Sequence, residues 1–261
     1  MPKELFKHEK MLKKFALHVQ KGLEATAAVN KQELPAGLVS MVNIIPPGKS
    51  GNVRLEHYTA TAQGSALFNL RSAINHKPET AIIPGNYVRL IVGPHLMMSD
   101  TPFEARTNRD IIEAARGDVL IAGLGMGMVL VPILRNPKVT SVTVVELSSD
   151  VIKLVHKPLL ANGPFTENEK MKLVVVEGDI FDFTPLPNRF DVIYFDIWPT
   201  IAKDNLSEGR ALKKQFKKSL RPGGWMKVWV EDQMLLQLER DDKALDKRMK
   251  AFRQRMKEKK P

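Results

Sequence analysis

Three glycines stand at alternate positions in the stretch AGLGMGMV, as Gly123, Gly125 and Gly127. An apolar run precedes them and a segment of helical polarity follows, which predicts a loop between a strand and a helix. Glycine allows a tight turn there and lets the backbone approach a ligand closely. The helix that follows would direct free N–H groups and the positive end of its dipole at that ligand, which favours an anionic group.

Three acids stand where later apolar runs end, as Glu146, Asp179 and Asp196. An acid at position 146, beside the glycine loop, suits the two hydroxyls of a ribose; the alternative is an ordinary acid at the entry of the helix before Ser148. We expect Asp179, or the amides next to it, to meet the amino group of an adenine. Asp196 is expected to face the reactive end of the ligand and its acceptor, with Trp198 as an apolar or stacking wall.

Five short apolar runs would position these residues. The runs are DVLIAG at 118–123, SVTVVE at 141–146, KLVVVE at 172–177, FDVIYFD at 190–196 and WMKVWVE at 225–231. They are rich in Val and Ile, which is typical of strands buried on both faces of a parallel sheet. Helical patterns at 127–135, 148–158 and 205–220 separate them, and RPGG at 221–224 is expected to end the third helix. The alternation predicts an α/β fold with a Rossmann-like, doubly wound, mostly parallel sheet.

The flanking regions differ from this domain in pattern. We predict a basic amphipathic helix over 1–29, a mixed β region over 30–116, the Rossmann-like domain over 117–231 and a basic C-terminal amphipathic helix over 232–261. Within the second region, strands are predicted at 53–60 and 86–93 from their alternation. The apolar stripe of the last segment has nearly heptad spacing, so it suits packing on its own domain or a contact between subunits in a homo-oligomer.

Composition excludes several classes of protein. The 261 residues contain no cysteine, which removes disulfides, thiolate zinc sites and cysteine nucleophiles and is typical of a cytoplasmic protein. The six histidines lack paired metal-ligand spacing, so no metal site is expected. No apolar stretch is long enough for a membrane span, and the N-terminus lacks the pattern of a secretory signal.

The positive charge is concentrated at the two ends of the chain. Of a net charge of +11, residues 1–22 carry +4 and residues 240–261 carry +6, which leaves only +1 on the remainder. Basic ends of this kind either bind nucleic acid through its phosphates, with strong salt dependence, or are solvated helix faces that aid solubility.

Taken together, the motifs resemble those of class I S-adenosylmethionine-dependent methyltransferases, in the spermidine-synthase-like branch. The resemblance covers about residues 85–231 and rests on VLIAGLGMGM, VTVVE, VEGDIFD, FDVIYFD and LRPGGW. It implies that Gly123, Gly125 and Gly127 line the methionine end of the cofactor S-adenosyl-L-methionine. By the same likeness Glu146 would hold the ribose hydroxyls, Asp179 the adenine, and Asp196 would face the acceptor.

The resemblance also implies an active-site strand and helix within LMMSDTPFEARTNRDIIEAA at 96–115, from which Asp100 and Glu104 would reach the substrate. Aminopropyltransferases of this branch carry an aspartate in the glycine loop, where this chain has Met126, and a second aspartate soon after the one matching Asp196. The last two antiparallel strands usual in the family are not evident after residue 231. The sheet is therefore either truncated or completed by N-terminal strands.

These features predict an S-adenosyl-L-methionine-dependent methyltransferase whose acceptor the sequence does not reveal. The alternatives are a spermidine-synthase-like aminopropyltransferase and a non-catalytic nucleotide-binding scaffold whose basic ends bind nucleic acid. A nicotinamide-dependent oxidoreductase shares the fold class, but its fingerprint places a third glycine where this chain has Met128.

Overall fold

The computed structural model describes residues 2–239 apart from 32, 76, 201, 203, 204 and 237, together with residues 243 and 249; for 2–10, 18, 29 and 30 it describes the backbone alone. The helices of this part of the chain are α1 (Pro2–Asn30), α2 (Ala62–Ile74), α3 (Pro102–Thr107), α4 (Arg109–Ala114), α5 (Leu130–Arg135), α6 (Ser149–Asn162), α7 (Glu167–Lys170) and α8 (Asn205–Phe216). The strands are β1 (Gly48–Ser50), β2 (Val53–Ala60), β3 (Gly85–Val92), β4 (His95–Ser99), β5 (Gly117–Ala122), β6 (Val139–Glu146), β7 (Leu173–Glu177), β8 (Phe190–Phe195) and β9 (Leu220–Val228).

The five strands from β5 onward form one parallel sheet in the order β7-β6-β5-β8-β9. The chain runs outward from β5 through β6 to β7 and then returns to the other side of β5 for β8. In open sheets of this kind, ligands bind outside the carboxyl ends of the strands at the point where the direction reverses. The predicted Rossmann-like α/β fold is therefore confirmed, and its reversal point lies between β5 and β8.

Successive residues of β5 pack on opposite faces of this sheet. Val119 and Ile121 belong to a core layer shared with α5, α6 and the N-terminal strands. Leu120 and Ala122 belong to a second layer, shared with Phe216 of α8. The four β5 side chains are at most 1% exposed, which explains why the strand has an uninterrupted apolar run.

The N-terminal strands form a separate antiparallel sheet in the order β1-β2-β3-β4. Tyr58 pairs with Tyr87 at its centre, and the register between β3 and β4 shifts at Leu90 and Ile91. These strands do not extend the parallel sheet, so the suggestion that they complete it is wrong. Over the described residues the parallel sheet has five strands, and a helical turn at 231–236 follows β9.

Two boundaries after residue 205 differ from the prediction. The helix α8 ends at Phe216, and RPGG at 221–224 lies within β9 instead of ending the helix. The pairing of β8 with β9 shifts register between Phe190 and Val192, so a proline and two glycines fit into this strand at an irregularity. The final strand, which was predicted to run to residue 231, ends at Val228 in the structure.

Helix α1 covers the predicted N-terminal helix almost residue for residue. A Cβ on Gly22 of α1 would lie 2.6 Å from that of Ala73, so glycine permits the close approach of α1 to α2. The predicted C-terminal helix over 232–261 falls mostly outside the described residues. No helix in the described part of the chain combines the length and the apolar character of a membrane span.

Candidate active site

A cavity of about 390 Å³ opens at the carboxyl ends of β5, β6, β7 and β8. Residues of β3, β4 and α3 close it on the side of the N-terminal sheet. Its size is within the range of small-molecule sites, roughly 300–1,000 Å³. The cavity therefore lies where the strand order reverses, between the two sheets.

The first two glycines of the loop after β5 line this cavity. Gly123 has φ +96°, and a Cβ there would overlap the backbone oxygen of Asp196. Gly125 has φ +52°, and a Cβ there would lie 2.5 Å from Sδ of Met98. Both positions require glycine because of the backbone conformation and because neighbouring atoms lie so close.

The third glycine of the loop has a different environment. Gly127 does not line the cavity; a Cβ there would lie 2.6 Å from Cδ2 of Leu159 in α6. Helix α5 begins at Leu130, three residues after the predicted start, and spans only six residues. Gly127 thus lets the loop pack on α6, and its predicted contact with the cofactor has no support from this geometry.

Glu146 lies at the end of β6 and lines the cavity. One carboxylate oxygen accepts a hydrogen bond of 2.8 Å from the amide of Leu124, and the other accepts one of 2.8 Å from the amide of Ser148. Each carboxylate oxygen can accept a second bond. The two interpretations of this acid therefore coexist, because it orders the helix entry and the glycine loop while still facing the cavity.

Asp179, in the loop after β7, also lines the cavity. Its Oδ1 accepts a 2.9 Å hydrogen bond from the amide of Phe181, which fixes the turn after the strand. The buried side chain of Ile180 and the partly exposed ring of Phe181 lie beside it in the lining. This arrangement of a carboxylate, an aliphatic side chain and a ring at one strand end can surround a flat heterocycle.

Asp196 and Trp198 bound the cavity at the end of β8. Burial raises the pKa of the Asp196 carboxyl from its ordinary value of 3.8 to about 7. The Trp198 ring is 9% exposed, and its Nε1 donates a 2.7 Å hydrogen bond to Glu208 of α8. The carboxyl is therefore near half ionisation at neutral pH, next to an indole ring that α8 holds in place.

Glu104 of α3 lines the same cavity from the opposite side. Burial, together with the charge of Asp196, raises the pKa of its carboxyl from 4.5 to about 8, against the opposing effect of a hydrogen bond from the backbone of Ser99. The effect of the Asp196 charge means that the two acids, 92 residues apart in the chain, lie close together across the cavity.

Asp100 does not line the cavity. Its carboxylate accepts hydrogen bonds from the amides of Val88, at 2.6 Å, and Met41, at 2.9 Å. The Ser40 hydroxyl adds a third, at 3.4 Å. The predicted reach of Asp100 into a substrate pocket thus has no support here, because its side chain ties β3 to the segment before β1.

Two cavity residues had no role in the sequence prediction. Asn108, which is 1% exposed, accepts a hydrogen bond of 3.2 Å from the Tyr194 hydroxyl and donates one of 3.0 Å to the backbone oxygen of Glu104. Trp229, just after β9, donates from Nε1 to the Thr107 hydroxyl at 3.1 Å. Only its position close to the end of the last apolar run could have indicated Trp229, and no pattern indicated Asn108.

Met126 is completely buried in the core. Its amide donates to Sδ of Met98 at 3.3 Å, so β4 packs directly on the glycine loop. This is the position at which aminopropyltransferases of the resembled branch carry an aspartate. In this chain the position contributes to packing and offers no carboxylate to a ligand.

Comparisons with known proteins agree with the motifs. A model of the spermine/spermidine synthase domain matches residues 95–259, well over half of the chain. No curated protein matches the chain significantly.

Solved structures with some similarity include spermidine synthase from Thermotoga maritima, at 16% identity and a TM-score of 0.40, covering 69% of this chain and 53% of that one. The YcgJ protein from Bacillus subtilis has 16% identity and a TM-score of 0.37, covering 47% of this chain and 49% of that one. A putative methyltransferase from Bacillus halodurans has 18% identity and a TM-score of 0.34, with coverage of 47% and 49%. The chain thus spans about half the length of these structures. From the match to the domain model, the chain belongs to the spermine/spermidine synthase family.

Proposed function

We propose that the protein transfers a methyl group from S-adenosyl-L-methionine to an amine or hydroxyl acceptor. The observation that carries the proposal is the convergence of the glycine loop, Glu146, Asp179 and Asp196 on one cavity at the reversal point of the sheet. When bound, S-adenosyl-L-methionine supplies a methyl carbon that is already electrophilic. The protein then has to hold an acceptor in line with it and exclude water.

The residues of the cavity support this donor. Gly123 and Gly125 line the cavity in backbone conformations that favour glycine, and Glu146 keeps acceptor capacity toward the cavity after binding two amides. Asp179, with Phe181 beside it, suits an adenine at the far end of the sheet edge. We therefore assign the binding of the adenosyl group to these residues.

Asp196 is the proposed general base. A base works best when its pKa lies near the operating pH, and burial raises the pKa of this carboxyl to about 7. Its ionised form would take a proton from the acceptor, while Trp198 packs against the acceptor as an apolar wall. Activity should accordingly fall as the pH drops through about 7, because the base becomes protonated.

The test makes the same substitution, aspartate to asparagine, at the proposed base and at a control position. At a saturating concentration of S-adenosyl-L-methionine, the Asp196→Asn protein should still form the donor complex, yet transfer methyl groups roughly 10²–10⁴ times more slowly. Methyl-labelled donor and a panel of primary amines and alcohols would provide the measurement. Asp182→Asn, in an exposed turn outside the cavity, is the control and should match the wild type. Equal turnover in both variants would remove Asp196 from the mechanism.

Aminopropyl transfer is the second candidate, and Glu104 is the observation that favours it. The chain lacks the loop aspartate, but Glu104 brings a second carboxyl to Asp196, as the binding of a diamine requires. Decarboxylated S-adenosylmethionine and putrescine provide the test, with 5′-methylthioadenosine as the product if this reaction occurs. A buried Met126 in the loop argues against it.

The basic ends of the chain support a separate proposal on partners. If they recruit nucleic acid, binding should weaken steeply with salt and disappear when residues 1–22 and 240–261 are deleted.

In α1 the apolar side chains of Met11, Leu12 and Phe15 are more than half exposed, which supports a helix-mediated contact between subunits. A cytoplasmic location is likewise a proposal, supported by the absence of cysteine.

A further inference from the structure

The cavity has an unbalanced set of charges. Four acids line it, namely Glu104, Glu146, Asp179 and Asp196, whereas its described lining includes no lysine, arginine or histidine. Backbone amides already bind Glu146 and Asp179, so these two carboxylates are stabilised within the protein. Glu104 and Asp196 are the two lining acids whose carboxyl pKa is strongly raised by burial.

The basic residues of the described part of the chain lie outside the cavity lining; Arg106 of α3, for example, donates a hydrogen bond to the backbone oxygen of Glu79. Tyr194 of β8 has its pKa raised by burial and by the charges of Asp196, Asp110 and Glu104, so it stays neutral. Asp110 of α4 forms an ion pair with Lys227 of β9, which also contacts Asp232. Lys227 is therefore already paired with two carboxylates.

The aromatic neighbours of the pair are uncharged and fixed. Trp198 binds Glu208, and Trp229 binds Thr107, so neither indole N–H is directed to the acids. Near neutral pH, two carboxyls enclosed by such groups are only partly ionised, and a positive charge that enters the cavity favours their full ionisation. A ligand must bring that charge.

We propose that Glu104 and Asp196 supply the counter-charge to the sulfonium of the adenosyl donor, so that the pair distinguishes the cationic donor from its neutral thioether product. This inference rests on the proposed function. Binding of the sulfonium favours the ionised pair and expels protons from it, whereas S-adenosylhomocysteine, which lacks that charge, leaves the protons in place. The same event leaves Asp196 in the form that a base needs.

The expected proton release follows from the two carboxyls. At pH 7 a carboxyl with a pKa of about 7 is about half protonated, and one with a pKa of about 8 is mostly protonated. Together they can release on the order of one proton when the sulfonium binds. Linkage then makes the affinity for S-adenosyl-L-methionine rise by about tenfold per pH unit for each proton released, between about pH 6 and 8.

The experiment is calorimetric titration of the full-length protein with S-adenosyl-L-methionine and, in parallel, S-adenosylhomocysteine. Titrations at pH 7 in two buffers of different ionisation enthalpy count the protons released by each compound. We expect release with the sulfonium compound and little with the thioether. Both ligands have the same amino-acid end, whose own amino group titrates near pH 8, so the difference between the two ligands is the quantity to compare.

Matched variants assign the protons to the pair. Asp196→Asn and Glu104→Gln should each reduce the difference in proton release and flatten the pH dependence of the affinity ratio, whereas Asp182→Asn should change neither. Equal release for both ligands, or a difference that survives in both variants, would overturn the inference. So would release that occurs only when putrescine is added to the S-adenosylhomocysteine complex, because an acceptor amine would then be the counter-ion. If neither adenosyl compound binds, the proposed function itself has failed.

Discussion

Replacing Asp196 with asparagine should stabilise the fold at pH 8, although it removes the proposed base. Burial raises the pKa of this carboxyl from 3.8 to about 7 in the folded protein. The folded chain therefore keeps its proton over a range in which the unfolded chain has lost it. The free energy of unfolding falls as the pH rises from about 4 to about 7, and above that range the full cost of burying the charge remains.

The size of the effect follows from this difference in pKa. At about 1.4 kcal/mol per pH unit, a rise from 3.8 to about 7 corresponds to roughly 4 kcal/mol, and contact with water in the cavity makes this an upper limit. Between pH 5 and pH 8 the stability of Asp196→Asn relative to the wild type should increase by about 2–3 kcal/mol.

Urea denaturation at the two pH values is the assay, because the midpoint and slope give the free energy of unfolding directly. Asp182→Asn, at an exposed turn, should show no such pH-dependent gain. An advantage of Asp196→Asn that is the same at pH 5 and pH 8, or a loss at pH 8, would show that the wild-type carboxylate has no desolvation cost. The proposed base and the proton-linked counter-charge would then both lose their physical basis.

Three further substitutions test the packing of the site. Gly123→Ala should lower the free energy of unfolding by at least about 1–3 kcal/mol and abolish donor binding, because φ is +96° and the added methyl would overlap the backbone oxygen of Asp196. Thermal unfolding measures the change in stability, and an unchanged melting temperature would contradict this prediction. Glu146→Gln should weaken donor binding by roughly 10–100-fold, measured by equilibrium dialysis, because an amide oxygen cannot accept from both backbone amides that the carboxylate now binds. Trp198→Phe should lower the free energy of unfolding by about 1–3 kcal/mol, because it removes the hydrogen bond to Glu208. Adding Glu208→Ala to this variant should lower it little further, whereas additive effects of the two substitutions would argue against a shared hydrogen bond.

Much of the parallel sheet could be predicted because its strands are buried on both faces and have continuous apolar runs. The strand predicted at 53–60 also coincides with β2, where alternating burial leaves a clear pattern. β4 has no such pattern, since its first two residues are exposed, its other three are only partly buried, and it pairs across a register shift. The sequence RPGG misled the prediction of the last helix, because its turn-forming residues lie in an irregular part of a strand.

For the site, the expectation that ligands bind at the carboxyl ends of parallel strands located the residues whose backbone position alone brings them to the cavity. Glu146 and Asp196 are of this kind. Gly127 and Asp100 differ because loop conformation and side-chain direction decide their contacts, and neither can be deduced from spacing. Glu104 was reached only through the resemblance to the family, since the approach of α3 to β8 depends on how the N-terminal sheet packs over the parallel one.

The most direct test of the account is calorimetric titration of the intact protein with S-adenosyl-L-methionine, its decarboxylated form and a nicotinamide dinucleotide. The account predicts saturable binding of at least one adenosyl sulfonium compound at one site per chain, lost in Gly123→Ala, and no binding of the dinucleotide. Saturable binding of the dinucleotide alone, or no heat of binding with either sulfonium compound, would contradict it.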